Sequence, residues 1–196
     1  MNKIASADVA AEIVDFAVGQ RLRQMRRERR LSLAVLAQRA GVSIGLLSQI
    51  ERGLSSPSLR VLAAVADAFG VPLTALFPGP SAQPDDAIVV HAKERAELKL
   101  WRAGIFKQLL TPQSAEARLT LSLVRLEPGA STGEELYSHQ GEEAGLVLEG
   151  AIDLTVAERH FRVDAGESFR FPSTRPHRFS NPLDRVSLVV WANCLT

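Results

Sequence analysis

Cysteine is almost missing from this 196-residue chain, with Cys194 its only example. A lone thiol closes no internal disulfide and provides neither zinc-finger spacing nor a redox pair, so the expectation is a reduced, cytoplasmic protein. Long apolar runs are missing too. None approaches the roughly 18 residues of a membrane span. The opening MNKIASADVAAEIVDF places acids where a signal peptide needs an apolar stretch. The chain therefore reads as neither secreted nor anchored. A strong net charge is also lacking: the balance is +1 at pH 7, which as an average excludes little. With 46% hydrophobic residues the chain can bury a real core, and its length suits one large domain or two small ones.

The distribution of charge says more than its sum. Between Phe16 and Arg60 the basic residues are Arg21, Arg23, Arg26, Arg27, Arg29, Arg30, Arg39, Arg52 and Arg60, against only Glu28 and Glu51. Such a locally cationic segment is either a solvated helix face or the footprint of a nucleic-acid binder.

The pattern changes near Phe77, from helical periodicity to strands and turns. Val18, Leu22 and Met25 fall at i, i+4, i+7, giving one apolar face, with Arg21, Arg23, Arg26 and Arg27 mostly on the other. Ser32 and Ser43 are N-cap candidates for the next two helices, and Gly41 ends the first of these. Two short helices joined by a Gly-containing turn make a helix-turn-helix, with Leu46, Leu47 and Ile50 on the buried side of the second. PSLRVLAAVADAFG predicts a fourth helix and PLTALF a short fifth. PGPSAQPDD then reads as an exposed linker. Beyond it LTLSLVRL, GLVLEG and VSLVVWA, separated by turn signals, predict an all-β sandwich or barrel. The expected division is residues 1–77 for DNA binding, 78–90 as linker and 91–196 for the barrel.

LAQRAGVS, LLSQIERG, PSL and GVPLTALF share one register, and the stretch from Gly19 to Phe77 resembles an XRE-family (lambda-repressor-like) helix-turn-helix domain. The resemblance implies that the third helix, about Ser43 to Glu51, enters the major groove. Ser43, Ile44, Gly45, Ser48 and Gln49 are the candidate base-facing residues. Gln49 can bond bidentately to adenine, Ile44 can touch a thymine methyl, and Gly45 permits close backbone approach. Ser43 reads equally as a cap with no base contact. Arg52, with Arg21 or Arg39, is expected to grip phosphates, and Ser32 completes the candidate DNA-facing set. Arg30 stands where the family often has a helix-ending Gly, which predicts a slightly longer first helix.

The last hundred residues resemble the cupin superfamily, whose motifs are G-x5-H-x-H-x(3,4)-E-x6-G and G-x5-P-x-G-x2-H-x3-N. Gly166, Pro172, His177 and Asn181 match the second, with Thr174 replacing a Gly. Counting back from Gly150 makes Glu143 the acid and His139 the second His, with Tyr137 where the first should stand; counting forward from Gly129 puts Glu135 there instead. The resemblance implies a double-stranded β-helix or jelly-roll barrel. Its effector pocket would be lined by Glu135, Tyr137, His139, Glu143 and His177. His139, Glu143 and His177 form a two-His, one-carboxylate set that can hold Zn, Fe or Mn, or serve as a polar pocket without metal. Phe169, Phe171 and Trp191 are either lining or plain core. The acids Glu134, Glu135, Glu142 and Glu143, where they face the lumen, would favour a cationic or amine-bearing ligand. The family suggests amines, amino acids and small sulfur or carboxylate compounds.

Together the two halves predict a two-domain protein, an all-α bundle of about five helices and an all-β cupin barrel. The expected function is a transcription regulator without enzyme activity, binding an inverted-repeat operator as a homodimer or higher oligomer and responding to a small molecule. Two rivals are a barrel serving only dimerisation and a metal-dependent cupin enzyme fused to a DNA-binding domain.

Overall fold

The computed structural model describes the backbone of residues 3–76, 87–100, 103–112 and 117–195, with side chains from Phe16 onward except Thr74. Four α-helices come first: α1 (Lys3–Glu28), α2 (Leu33–Ala40), α3 (Ile44–Glu51) and α4 (Leu59–Phe69). The expected fifth helix is a single 3-10 turn, Leu73–Leu76, since four residues make too few bonds for a continuing α-ladder. Phe77 and the proline-rich stretch from Pro78 to Asp86 lie outside the described residues.

The helix ends follow from local chemistry. Ser32, Ser43 and Ser58 accept the Val35, Leu46 and Val61 amide hydrogens at 3.2, 3.1 and 3.3 Å, pairing donors that the first turn leaves free. Gly41 and Gly70 close α2 and α4 in the left-handed region. Arg30 takes the same conformation, with φ 54°, and the Leu31 amide bonds back to the Arg26 carbonyl at 3.0 Å. The longer helix expected there is not found. α1 stops at Glu28, and a residue with a Cβ occupies the glycine geometry at a cost of order 1 kcal/mol.

α2 and α3 meet at 112°, within the usual helix-turn-helix range. Leu22, Leu36, Leu47, Ile50 and Leu62 are fully buried between the helices. α1 lies hard on α3, because a Cβ at Gly19 would strike the Ile50 carbonyl. One arginine from the expected polar face of α1 is internal: Arg26 forks onto Glu51 at 2.6 and 2.8 Å and reaches the Leu31 carbonyl at 2.9 Å.

Among the described residues the barrel has nine strands: β1 (Glu97–Leu100), β2 (Ile105–Leu109), β3 (Leu119–Leu126), β4 (Glu142–Glu149), β5 (Ala151–Val156), β6 (Arg159–Asp164), β7 (Ser168–Pro172), β8 (His177–Ser180) and β9 (Ser187–Cys194). They form a six-stranded sheet, β1-β2-β3-β9-β4-β7, facing a three-stranded sheet, β6-β5-β8. Every pairing is antiparallel, so one face of each strand can turn inward. The register sets Thr120, Asn193, Glu143 and Phe171 side by side in one inward row. The next row holds Ser122, Trp191, Gly145 and Phe169, where the missing Cβ of Gly145 makes room for the Phe169 ring.

The two parts touch. Arg60 of α4 pairs with Glu135 at 3.0 Å, and Asp67 of α4 accepts the Gln140 amide hydrogen at 3.4 Å.

Candidate functional site

On α3 the candidate base readers form an exposed strip. Ile44 is 52% exposed, unusual for an isoleucine. Gly45 has open space where a Cβ would sit, and Gln49 and Arg52 are exposed, while Ser48 is half-buried. Leu47 and Ile50 point the other way into the core. Ser32 and Ser43 hold caps, so their hydroxyls are engaged by amide hydrogens of α2 and α3. Arg39 is exposed on α2, and Arg52 donates to the Ser48 carbonyl at 3.2 Å. Arg21 differs from its expected role. Half-buried, it donates to the Ala75 carbonyl at 3.2 Å and holds the 3-10 turn against α1.

In the barrel, the segment before β4 is laced to the segment entering β8. Tyr137 exchanges backbone hydrogen bonds with His177 at 3.0 and 2.8 Å, and the His139 amide donates to the Ser173 carbonyl at 3.1 Å. This lacing, together with the turn at Gly141, offsets the interrupted strand parity and brings His139 to Glu143. His139 Nε2 lies 2.9 Å from Glu143 Oε1, and His177 Nε2 lies 3.7 Å from Glu143 Oε2. Glu143 and His177 sit on opposite sheets, whereas Tyr137 pairs edge to edge with His177.

The two imidazoles are oriented alike. His139 Nδ1 is 3.1 Å from the Gln140 carbonyl and His177 Nδ1 is 2.9 Å from the Arg175 carbonyl. A carbonyl only accepts, so each Nδ1 carries the proton and each Nε2 turns to the lumen. Donors on a divalent ion with bonds near 2.1 Å stand about 3 to 3.5 Å apart, a spacing bracketed by the two distances above. All three donor groups lie within 4.8 Å of one another. Glu143 Oε2 and His177 Nε2 are buried with no hydrogen-bond partner. The residues present therefore fit a metal ion, held by His139, Glu143 and His177 as a two-His, one-carboxylate set.

Electrostatics divide the roles. Burial would raise the Glu143 pKa, but the His139 hydrogen bond and the charges of His177, His139 and Lys107 hold it below the usual carboxylate range. Burial would lower the His139 pKa, yet the Glu143 hydrogen bond and charge outweigh it and raise it. Burial lowers His177 and, with its bonded Nδ1, leaves its lone pair free. Burial and the Glu143 charge raise Tyr137 well above the usual phenol value, so it stays neutral as a wall against the His177 ring, 4.3 Å away.

Glu135 is not brought into this site, being exposed and turned to Arg60. Of the acidic run only Glu143 faces the lumen. Glu142 pairs outward with Arg170 at 2.5 Å, and Glu134 is exposed. Phe171 packs on the His177 ring at 5.0 Å, and Phe169 on Trp191 at 4.7 Å. Motif residue Asn181 is architectural: its amide donates to the Leu126, Glu127 and Arg185 carbonyls. Two site residues escaped the sequence reading. Asn193 donates to Glu143 Oε1 at 2.6 Å, and Lys107 is buried in the lumen. The signal for Lys107 was its parity, since Ile105, Lys107 and Leu109 share the inward face of β2.

Among the described residues no single helix is long and apolar enough to cross a membrane. The model of the helix-turn-helix domain family matches residues 17–76, and that of the cupin domain family matches residues 122–193. The chain is 29% identical over 180 residues to the HTH-type transcriptional regulator PuuR of Escherichia coli K12, covering 92% of this chain and 96% of that one. The regulator SutR of the same organism is 28% identical over 161 residues, covering 82% and 84%. The crystal structure of an HTH_3 family transcriptional regulator from Vibrio cholerae shares the fold, with TM-score 0.73, 24% identity and coverage of 95% and 99%. With both domains present in this order, the chain is a helix-turn-helix transcriptional regulator with a C-terminal cupin domain, similar over most of its length to PuuR and SutR.

Proposed function

We propose that this regulator reads an inverted-repeat operator as a homodimer through α3, and that a small molecule in the cupin lumen changes its DNA affinity. In this reading residues 1–77 are the DNA-binding domain, 78–90 the linker and 91–196 the sensing and dimerising barrel, all working in the cytoplasm and without catalysis. Ile44, Gly45, Ser48 and Gln49 face bases, with the Ser43 cap at their edge, while Arg39 and Arg52 take phosphates beside the capped N-terminus at Ser32. The lumen set His139, Glu143 and His177 binds a divalent ion, Zn, Fe or Mn, that would give an effector a Lewis-acidic anchor. The exposed leucines Leu119, Leu146 and Leu148 on the outer face of the six-stranded sheet supply an apolar surface for a second copy.

One observation carries the coupling. The segment that presents Tyr137 and His139 to the lumen is the same one that meets α4 through Glu135 and Gln140, so a shift of His139 on binding reaches the DNA-binding half through adjoining residues. An effector that binds one arrangement better shifts the population of the paired DNA-binding heads. Selection from random duplexes should return two half-sites about 34 Å, one helical turn, apart. Gln49→Ala should relax base preference, and Arg52→Ala should weaken all sequences alike. Selection of a single asymmetric site by a monomer would overturn the dimer, and equal uniform losses in both variants would overturn the α3 assignment.

A further inference from the structure

Lys107 has no role in the metal set, and its placement is costly. It is 6% exposed, and its Nζ stands 5.9 Å from the Phe179 ring centre and 5.7 Å from that of Trp191. Among the described residues no carboxylate lies within ion-pair distance of Nζ and no acceptor takes its hydrogens. Ring faces stabilise an ammonium electrostatically but accept no conventional hydrogen bond from it. A buried charge is normally paired and hydrogen-bonded, so three donors facing aromatic walls lack their natural complement. The neighbouring Trp191 Nε1, a donor only, is buried with no hydrogen-bond partner, as is Thr120 Oγ1 elsewhere in the lumen.

We infer that the lumen takes a small organic carboxylate whose anionic end is held by the Lys107 ammonium and the Trp191 indole N–H. The inference rests on the reading of the barrel as the effector site and names the class of ligand. The acidic run gives no support to an amine, because Glu142 is paired outside and only Glu143 reaches the lumen. Glu143 is itself engaged by His139 and Asn193, and a divalent ion on the His139, Glu143 and His177 set would leave the lumen with net positive charge. The aromatic walls Phe169, Phe171, Phe179 and Trp191 suit an apolar body between the two ends. Burial lowers the Lys107 pKa, with the Glu143 charge opposing this, so an arriving anion would also stabilise the ammonium form.

The outside of the barrel carries a cleft rich in arginine. A cleft of about 400 Å³ lies between the sheet edges β6 and β7, its lining including Leu154, Phe169 and Phe171, four arginines, Arg159, Arg162, Arg170 and Arg175, and one acid, Glu167. Asp164 and Glu142 pair with Arg162 and Arg170, and among the described residues no acid pairs with Arg159 or Arg175. A basic lining of this kind raises the local concentration of anions.

Isothermal titration of the full-length protein with two- to six-carbon monocarboxylates and with the primary amines of matching length tests the inference. The acids should bind at least tenfold more tightly than the amines and perturb Trp191 fluorescence. Lys107→Met should weaken the best acid by tenfold or more while keeping the parent circular dichroism and operator affinity, and Lys107→Arg should retain part of the binding. Amines binding as well as acids, neither class binding, or acid binding unchanged in Lys107→Met would each overturn it. If acids bind through Lys107 without altering operator affinity, the anion site stands and the effector reading fails. If an amine binds and alters operator affinity, the effector reading stands and the carboxylate assignment fails.

Discussion

Glu51 in the helical domain and Glu143 in the barrel are the same residue type at nearly the same burial, 4% and 3% exposed, yet they do different work. Glu51 has both oxygens taken by one guanidinium, Oε1 by Arg26 Nε and Oε2 by Arg26 Nη2, a closed fork that pins α1 to α3. Glu143 has Oε1 shared by His139 and Asn193, while Oε2 has no hydrogen-bond partner and faces the free Nε2 of His177. A buried carboxylate with both oxygens hydrogen-bonded to one guanidinium is architecture. One with an open oxygen beside an open imidazole is a place for something to bind.

Removing each carboxylate breaks or sharpens this contrast, and the largest effect belongs to the closed pair. Glu51→Ala leaves the Arg26 guanidinium buried with only the Leu31 carbonyl, and should destabilise the helical domain by about 3 to 5 kcal/mol in denaturant unfolding. A loss under 1 kcal/mol would mean that the fork is not structural. Glu143→Gln keeps an amide oxygen for Asn193 but removes the charge, so zinc affinity measured against a chromophoric chelator should fall about 100-fold or more. Its cost to folding should be smaller than that of Glu51→Ala, and the reverse order would erase the distinction.

Protons give a finer test. His139 is raised above its ordinary 6.5, so it is more than half imidazolium at that pH, whereas His177 is lowered and Glu143 is already ionised. Zinc on His139 Nε2 must displace that proton. Binding near pH 6.5 should release about one proton, read from titrations in buffers of different ionisation heat, and the release should fade as pH rises past the His139 value. In the metal-free protein the sign is opposite. The His139 pairing stabilises the fold fully below about pH 6.5, the unfolded value, and that share is lost as pH rises through the raised folded pKa. The smallest expected effect is at the end of α1, where Arg30→Gly should raise the stability of the helical domain by about 1 kcal/mol by relieving the left-handed strain.

The helical half was legible because its signals are local. Ser32, Ser43 and Ser58 cap within three residues of themselves, and Gly41 and Gly70 end helices by their own backbone freedom. The arginines misled where a distant partner decided. Arg26 and Arg21 share the sequence signature of a solvated basic face, but Glu51 and the Ala75 carbonyl draw them inward. Arg30 stands where the resemblance places a helix-ending Gly, and the returning Leu31 to Arg26 bond ends the helix there in spite of its Cβ.

The sequence by itself determined the order of two domains, the exposed strip on α3 and the residue types of the His139, Glu143 and His177 set, because helical period, capping chemistry and motif spacing act over a few residues. Tertiary structure alone decided which acids enter the lumen. Glu135 turned to Arg60 and Glu142 to Arg170, while Asn193, fifty residues away in sequence, came to Glu143 through the β4 to β9 register. It also decided that Lys107 meets Trp191 and Phe179 inside the barrel. Parity says which face a strand residue takes, but only the closing of two sheets says what it finds there.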